Sequence, residues 1–396
     1  MKFSTFAPYP TAETDNRSFL LPALAIVFAL LTIQIFSEKV KEKLFLSIKE
    51  SVVHRHLSTS SLYYETTNKK RMDQVSTKAK ILDVMKQAPD TVFSGEKLAQ
   101  LLDISRTSIW KAIRELEKEG YRFEHLKTGY LYKQSDVLAT TDMTCLSLPK
   151  EQIYLKKRTD STMNDAKNGL LAHVKTPALF VSEAQDGGHG RFNRPFFSPE
   201  GQIYMSLILE PNQTFEELPQ YTLLAAVALS LAIDELTGLS TEIKWVNDIY
   251  LNGKKICGIL SEATSDIETG QISSVTIGIG INFSIDPALF PEPLQKKATS
   301  LFKGQATSVT RNQLIQLVWQ NFFDLIAGLP DQSYMKIYRQ KSLVLNREVS
   351  FVKQQVTYTG IARDITNQGE LIVDTPQQTF SLSSGEISLT HIDNYF

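Results

Sequence analysis

The chain has 396 residues, more than one ordinary domain, and a composition 42% hydrophobic and 21% charged excludes global disorder. Forty-two Lys/Arg against 43 Asp/Glu give a net charge of −1, which excludes a uniformly basic nucleic-acid binder but not a small basic module beside an acidic one. Two cysteines, Cys145 and Cys257, exclude a disulfide scaffold and a CxxC zinc site, and point to a reducing compartment.

The charge is unevenly spread. Residues 1–71 carry ten Lys/Arg and six Asp/Glu, residues 72–135 eleven and nine, and residues 136–396 twenty-one and twenty-eight. Within the first stretch, residues 19–36 are apolar except Pro22, Thr32 and Gln34, and no charge interrupts them. That run is at the lower limit for a transmembrane helix. Lys39, Lys41 and Lys43 follow it and would leave the bulk of the chain in the cytosol. The other reading is that synthesis starts at Met72 and the upstream residues are not translated. On the first reading the chain is tethered to a membrane through residues 19–36 with its bulk in the cytosol, and on the second it is cytoplasmic. Val40, Leu44, Ile48 and Val52 have the spacing of an amphipathic helix, and residues 58–67 read as a linker.

Residues 78–87 carry Ile81, Leu82 and Met85 at helical spacing. Ser94 opens a second helix with Leu98, Leu101 and Leu102 as its apolar stripe, and Lys97 makes only half a capping box. Ser105 caps a third over 106–119, with Ile109, Ile113 and Leu116 on the core side and Gly120 closing it. Residues 123–132 alternate around Thr128-Gly129, a hairpin. Two short helices and a tight turn followed by a hairpin is winged helix-turn-helix spacing. In that arrangement Arg106, Thr107, Ser108, Trp110 and Lys111 would face a major groove. A small helical domain with solvated charges fits the same pattern.

The next segment carries groups for chemistry. A strand at 153–158 leads to Thr159-Asp160-Ser161-Thr162 and a helix to about Asn168, which places hydroxyls and free N–H groups at one mouth. A strand at 178–185 runs into Gln185-Asp186-Gly187-Gly188-His189-Gly190-Arg191-Phe192-Asn193-Arg194. Its glycines allow close backbone approach, and its basic groups suit a phosphate or carboxylate. Neither the Walker A nor the Rossmann fingerprint is present. Residues 202–210 alternate as a half-buried strand, and 220–236 form a helix. Lys244-Trp245-Val246-Asn247-Asp248 then reads as a strand, and the turn at Asn252-Gly253 sets Lys255 beside it. Residues 275–283 give a further strand with Gly278, Gly280 and Asn282 on it. Helices at 310–328 and 331–341 precede short strands at 349–352, 356–362, 371–373 and 380–382, a small barrel.

In this order the motifs resemble those of the bifunctional biotin–protein ligases that also act as the biotin operon repressor. The biotin loop is Gly188-His189-Gly190-Arg191-Phe192-Asn193-Arg194, and the KWPND-like element is Lys244-Trp245-Val246-Asn247-Asp248. The KxxGIL-E strand is Lys255-Ile256-Cys257-Gly258-Ile259-Leu260-Ser261-Glu262, and the GxGxN strand is Gly278-Ile279-Gly280-Ile281-Asn282. Ser161-Thr162 and Gly385-Glu386-Ile387-Ser388-Leu389 complete the set, which spans 73–396. The chain departs from the pattern twice. His189 puts an imidazole where the family has its first loop arginine, and Val246 stands where it has proline.

The resemblance implies an α+β protein in four parts. These are the 1–71 extension, a winged helix-turn-helix DNA-binding domain at 72–135, a class II synthetase-like biotin- and ATP-binding domain at 136–342, and an SH3-like barrel at 343–396. It implies an ATP-dependent ligase that makes biotinyl-5′-adenylate and passes biotin to a lysine of the biotin carboxyl carrier protein, with Mg²⁺ on ATP. Arg191 and Lys255 are expected to be catalytic. Ser161, Thr162, Met163, Gln185, Gly188, His189 and Gly190 are expected to contact biotin with them, and Gly278 and Gly280 to leave it room. Lys244, Asn247, Asp248 and Asn282 are expected at the nucleotide or acceptor. Operator DNA, bound by an adenylate-loaded homodimer, is the second expected partner. Lipoate–protein ligase and a non-catalytic biotin-sensing regulator are the competing readings. No metal site built by the protein itself is expected.

Overall fold

The computed structural model describes residues 76–389 apart from 212, 215–217, 267, 270, 330, 384 and 386. The apolar run at 19–36, the stretch after it and the linker at 58–67 lie outside the described residues. Among those described, no helix is long and apolar enough to cross a membrane. The chain divides into two compact units, Met1–Leu82 and Asp83–Phe396. The described part of the first is the opening of helix α1 (Thr77–Lys86).

The second unit continues with strand β1 (Val92–Phe93) and helices α2 (Gly95–Leu102) and α3 (Arg106–Lys118). The Ser94 hydroxyl accepts a hydrogen bond from the Lys97 N–H, and the Ser105 hydroxyl accepts one from the Ser108 N–H. Each serine thereby satisfies a donor that the helix start leaves open. Asp103 ends α2 in the left-handed region at φ 53°, and Gly120 follows α3 at φ 100°. Ile109, Ile113 and Leu116 are buried, as their i, i+4, i+7 spacing requires. The expected stripe on α2 is narrower than its sequence pattern. Leu98 is buried, whereas Leu101 is 57% exposed. Leu102, one position further on, is half-buried, so the packed face runs through i and i+4 and leaves i+3 at its edge. Strands β2 (Arg122–Leu126) and β3 (Gly129–Lys133) pair as the hairpin, and β1 joins β3 on its other edge. Ser105→Ala removes the α3 cap and is expected to cost about 1 kcal/mol, read as a lower urea midpoint with an unchanged slope.

The central sheet uses β4 (Ile153–Lys156), helix α4 (Thr162–Leu171), β5 (Ala178–Ser182), β6 (Ile203–Leu209), β7 (Gln213–Thr214), helix α5 (Leu218–Thr237), β8 (Glu242–Lys244), β9 (Asp248–Leu251), β10 (Lys254–Ser265) and β11 (Gln271–Ile281). Its order is β4-β5-β6-β11-β10-β9-β8, with β7 paired to β11. Only β4 and β5 run parallel among the described pairs. Helix α5 is buried along most of its length against one sheet face. Helix α4 covers the other face near Ala178, Phe180 and Ile208.

That second cover corrects one expectation, and the strand register corrects another. Strand β6 is not half-buried, because Tyr204, Ser206 and Ile208 are enclosed as fully as Ile203, Met205 and Leu207. The Lys244–Asp248 segment is not one strand. β8 ends at Lys244, the chain turns through Trp245, Val246 and Asn247, and β9 begins at Asp248, opposite Lys244. The turn at Asn252-Gly253 has φ 49° and 71°, the paired left-handed geometry those residues favour.

After a short helix α6 (Glu292–Gln295), helix α7 (Arg311–Ala327) opens on a full capping box between Thr310 and Gln313. Helix α8 (Ser333–Gln340) leads to β12 (Glu348–Lys353), β13 (Val356–Ile365), β14 (Leu371–Asp374), β15 (Thr379–Leu382) and β16 (Ile387–Leu389). Their order is β15-β14-β13-β12-β16. β12 and β15 are not neighbours in the sheet, yet the rings of Phe351 and Phe380 lie 5.2 Å apart. The sheet therefore curls over its own apolar face, as a small barrel does.

Candidate functional site

One cavity of about 480 Å³ opens between the α4 side of the central sheet, the Gly-rich loop and the β8–β9 turn. Its polar floor is built at the start of α4. Ser161 caps the helix by accepting from the Met163 N–H at 3.2 Å. The Gln185 side-chain oxygen accepts from both the N–H and the hydroxyl of Thr162, at 2.8 and 3.1 Å. Its Nε2 donates to the Ser198 hydroxyl at 3.3 Å, which in turn donates to the Phe196 carbonyl. Ser161 and Thr162 are buried, so these groups are shielded from competing water.

The Gly-rich loop closes one side. Gly187 lies so near Asp160 that an added Cβ would sit 2.1 Å from its carboxylate, and one at Gly188 would sit 2.6 Å from the Ser198 hydroxyl and 2.8 Å from Gln185 Nε2. The Gly190 N–H donates to the Arg194 carbonyl, and the Phe196 N–H to that of Gly188. His189 lines the cavity with Nδ1 3.2 Å from the Gly187 carbonyl. Arg191 and Arg194 both lie over the Phe192 ring, at 5.4 and 5.7 Å, and both line the cavity. Gly190 and Met163 line it too, whereas Gly188 stands behind the wall.

Lys255 and Asp248 also line the cavity, with Lys255 Nζ 2.7 Å from Asp248 Oδ1 and the two side chains 33% and 22% exposed. The hairpin at Asn252-Gly253 sets this pair on adjacent strands. Lys244, Asn247 and Asn282 also line the cavity, but two of them are held structurally. Asn247 donates to the Ile259 carbonyl at 2.6 Å, and Asn282 to that of Thr299 at 3.0 Å. The Trp245–Val246 peptide is cis, and the turn is anchored by Trp245 Nε1 to Gly369 and by the Tyr338 hydroxyl to Val246. Gly385, Ile387 and Ser388 bring the C-terminal sheet to the same cavity. Cys257 is also in its wall, and burial pushes its thiol well above the ordinary range, so no thiolate nucleophile stands there.

The geometry alters the reading of two glycines. Gly278 and Gly280 admit neighbouring side chains rather than open space. A Cβ at Gly278 would meet the Met163 sulfur at 2.6 Å, and one at Gly280 the Phe196 ring at 2.6 Å. Phe196 and Ser206 are the residues the sequence reading missed. Phe196 fills the slot between paired Gly258 and Gly280. Its signal was an aromatic residue just after the last arginine of the loop. Ser206 donates to the Thr162 hydroxyl at 2.8 Å, and its signal was a lone serine inside a largely apolar strand. Gly280→Ala forces Phe196 to move and is expected to destabilise the protein by about 1–3 kcal/mol, measured as a lowered denaturant midpoint.

A second concave surface of about 600 Å³ lies between α2, α3 and the wing. Arg106, Thr107 and Trp110 face it together with Lys127 and Tyr130 of the hairpin. Trp110 is 52% exposed, an unusual position for so large an apolar side chain, and Arg114 lies 5.8 Å from its ring. Lys111 is exposed but outside the concavity. Ser108 is spent on the helix cap, bonded to Ser105 at 2.9 Å.

Three family models match in the same order. The biotin/lipoate A/B protein ligase family covers residues 155–282, a helix-turn-helix domain 77–131, and the biotin protein ligase C-terminal domain 344–390. The chain is 33% identical over 318 residues to the bifunctional ligase/repressor BirA of Bacillus subtilis (strain 168), which spans 78% of this chain and 97% of that protein. It is 25% identical over 301 residues to the protein of that name from Escherichia coli (strain K12), across 75% and 92% of the two chains. A biotin protein ligase from Aquifex aeolicus, solved in complex with biotin and ATP, aligns with a TM-score of 0.51 at 25% identity, over 61% of this chain and 99% of that one. The chain belongs to the bifunctional biotin–protein ligase/repressor family.

Proposed function

We propose that this protein activates biotin with ATP and transfers it to a lysine of a biotin carboxyl carrier protein, and that its winged module binds operator DNA. The observation that carries the ligase reading is one cavity lined by both Arg191 and Lys255 together with Ser161, Thr162 and Gln185.

In the first step an oxygen of the biotin carboxylate attacks the α-phosphorus of ATP. The bond from that phosphorus to the bridging oxygen breaks, and pyrophosphate leaves with the electron pair. Two anions must meet, so the barrier is lowered by fixed cations and by alignment. Arg191 offers a planar fork that can hold two oxygens at once, and Lys255 a compact point charge. Asp248 holds Lys255 in place. In the second step the acceptor amine attacks the acyl carbon, AMP departs, and the nitrogen loses a proton. No group of three His, Cys, Asp or Glu side chains among the described residues is placed to hold a metal. Magnesium is proposed to accompany ATP, where it would neutralise charge on the triphosphate.

The DNA reading rests on Arg106, Thr107 and Trp110 facing one concavity with the wing. A single winged module spans a half-site, so an adenylate-loaded homodimer is proposed as the binding form. The proposed boundaries are 72–135 for the winged domain, 136–342 for the catalytic domain and 343–396 for the barrel. The proposed location is the cytosol. Biotin-dependent exchange of labelled pyrophosphate into ATP tests the first step. Exchange supported by lipoate and not by biotin would favour the lipoate ligase reading, and biotin binding without exchange the non-catalytic regulator.

A further inference from the structure

We propose that Trp110 is a specificity-determining residue of the winged module, whose ring reads the C5 methyl of a thymine in the major groove while the cations around it hold phosphates. This rests on the proposed reading that the module binds DNA.

Arg106, Trp110 and Arg114 stand four residues apart on α3, so they form one stripe along the helix. All three are exposed, and the stripe is separate from the buried row of Ile109, Ile113 and Leu116. Trp110 keeps 52% of its surface open, a costly place for the largest side chain unless something covers it. The Arg114 guanidinium lies 5.8 Å from the centre of its ring, a cation–π contact that steadies the indole from one side. Arg106 and Trp110 face the concavity together with Lys127 and Tyr130 of the wing. Glu96 is the only carboxylate among the described residues that line it.

A cationic border around an exposed aromatic ring suits a polyanion that also carries an apolar group. Arg106, Lys127 and Arg114 can take phosphates. The ring has one N–H and is otherwise apolar, so laid over base nitrogens and oxygens it would strip water from acceptors it cannot satisfy. Among the edges of the four bases in the major groove, the one apolar group is the thymine C5 methyl. Trp110 is the fifth residue of α3, within the first turns of the helix, the part that reaches base edges in this docking geometry.

The probe is a set of duplexes selected from a random library by the full chain with biotin and ATP. Each selected duplex is remade with deoxyuridine in place of thymidine, one position at a time, which removes the methyl and leaves every hydrogen-bonding group. Wild type is expected to bind about fourfold more weakly at one thymine of each half-site, the worth of one buried methyl. Trp110→Ala should be indifferent to deoxyuridine at that position. Its slope of log affinity against log salt should match wild type, because the phosphate contacts remain. Trp110→Gln, which keeps a long side chain without the apolar ring, gives the same readout if the Ala variant fails to fold. Wild type that loses affinity at no thymine, or a folded variant as sensitive as wild type at the same thymine, overturns the role of Trp110. Loss of the dimer in Trp110→Ala overturns it as well, because the ring would then cover a second copy of the chain. Wild type that enriches no sequence from the library overturns the DNA reading instead.

Discussion

Lys255→Ala and Arg191→Ala each slow biotin-dependent ATP–pyrophosphate exchange by about a hundredfold to a thousandfold, the usual cost of removing one preorganised charge-stabilising group. The two side chains line the one cavity in which phosphate and carboxylate are proposed to meet. Both act on the same developing charge, so the double variant should lose less than the product of the single losses. Asp248→Asn should cost less, about tenfold, because Asp248 reaches the reaction only through Lys255. Lys255 is one-third exposed, and its removal should leave the thermal midpoint nearly unchanged. Exchange near the wild-type rate in both single variants would remove these residues from catalysis.

Arg106→Ala weakens operator binding at least tenfold and lowers the slope of log affinity against log salt by about 1, if its partner is a phosphate. If its partner is a guanine edge, the loss should instead concentrate on one base position. Arg106 starts α3 and faces the concavity with Lys127 of the wing. Lys111→Ala, outside that concavity, should weaken binding less and without regard to sequence. Electrophoretic shift with and without biotin plus ATP reads both effects. The shift should need both small molecules, because the proposed binding form is the adenylate-loaded dimer. Equal binding by ligand-free protein would contradict that coupling.

Local chemistry made much of the fold readable. Ser94 and Ser105 cap the helices they precede, and Asn252-Gly253 turns where only residues tolerant of positive φ can. These features are decided within a few residues, and so are written in the order of the chain. Burial is decided by partners distant in sequence. The alternation of β6 suggested one wet face, but α4 covers it. Leu101 fitted a helical stripe and faces solvent because the packed face runs through Leu98 and Leu102.

The site follows the same division. The ordered motifs around Ser161, Arg191, Lys244, Lys255 and Gly278 reach one cavity. What fills the room above Gly278 and Gly280 depends on Met163 and Phe196, which approach from other segments. Ser206 is bonded to Thr162, and no spacing in sequence reveals a hydrogen bond between residues 44 apart. Asn247 and Asn282 sit in site motifs yet spend their amides on backbone carbonyls.

The most direct test of the central claim is transfer of labelled biotin to a purified biotin carboxyl carrier protein by the full chain, with ATP and magnesium present. The predicted result is ATP-dependent labelling of one acceptor lysine, lost in Lys255→Ala and absent when lipoate replaces biotin. Failure of wild-type protein to label the acceptor while it still binds biotin would contradict the ligase account.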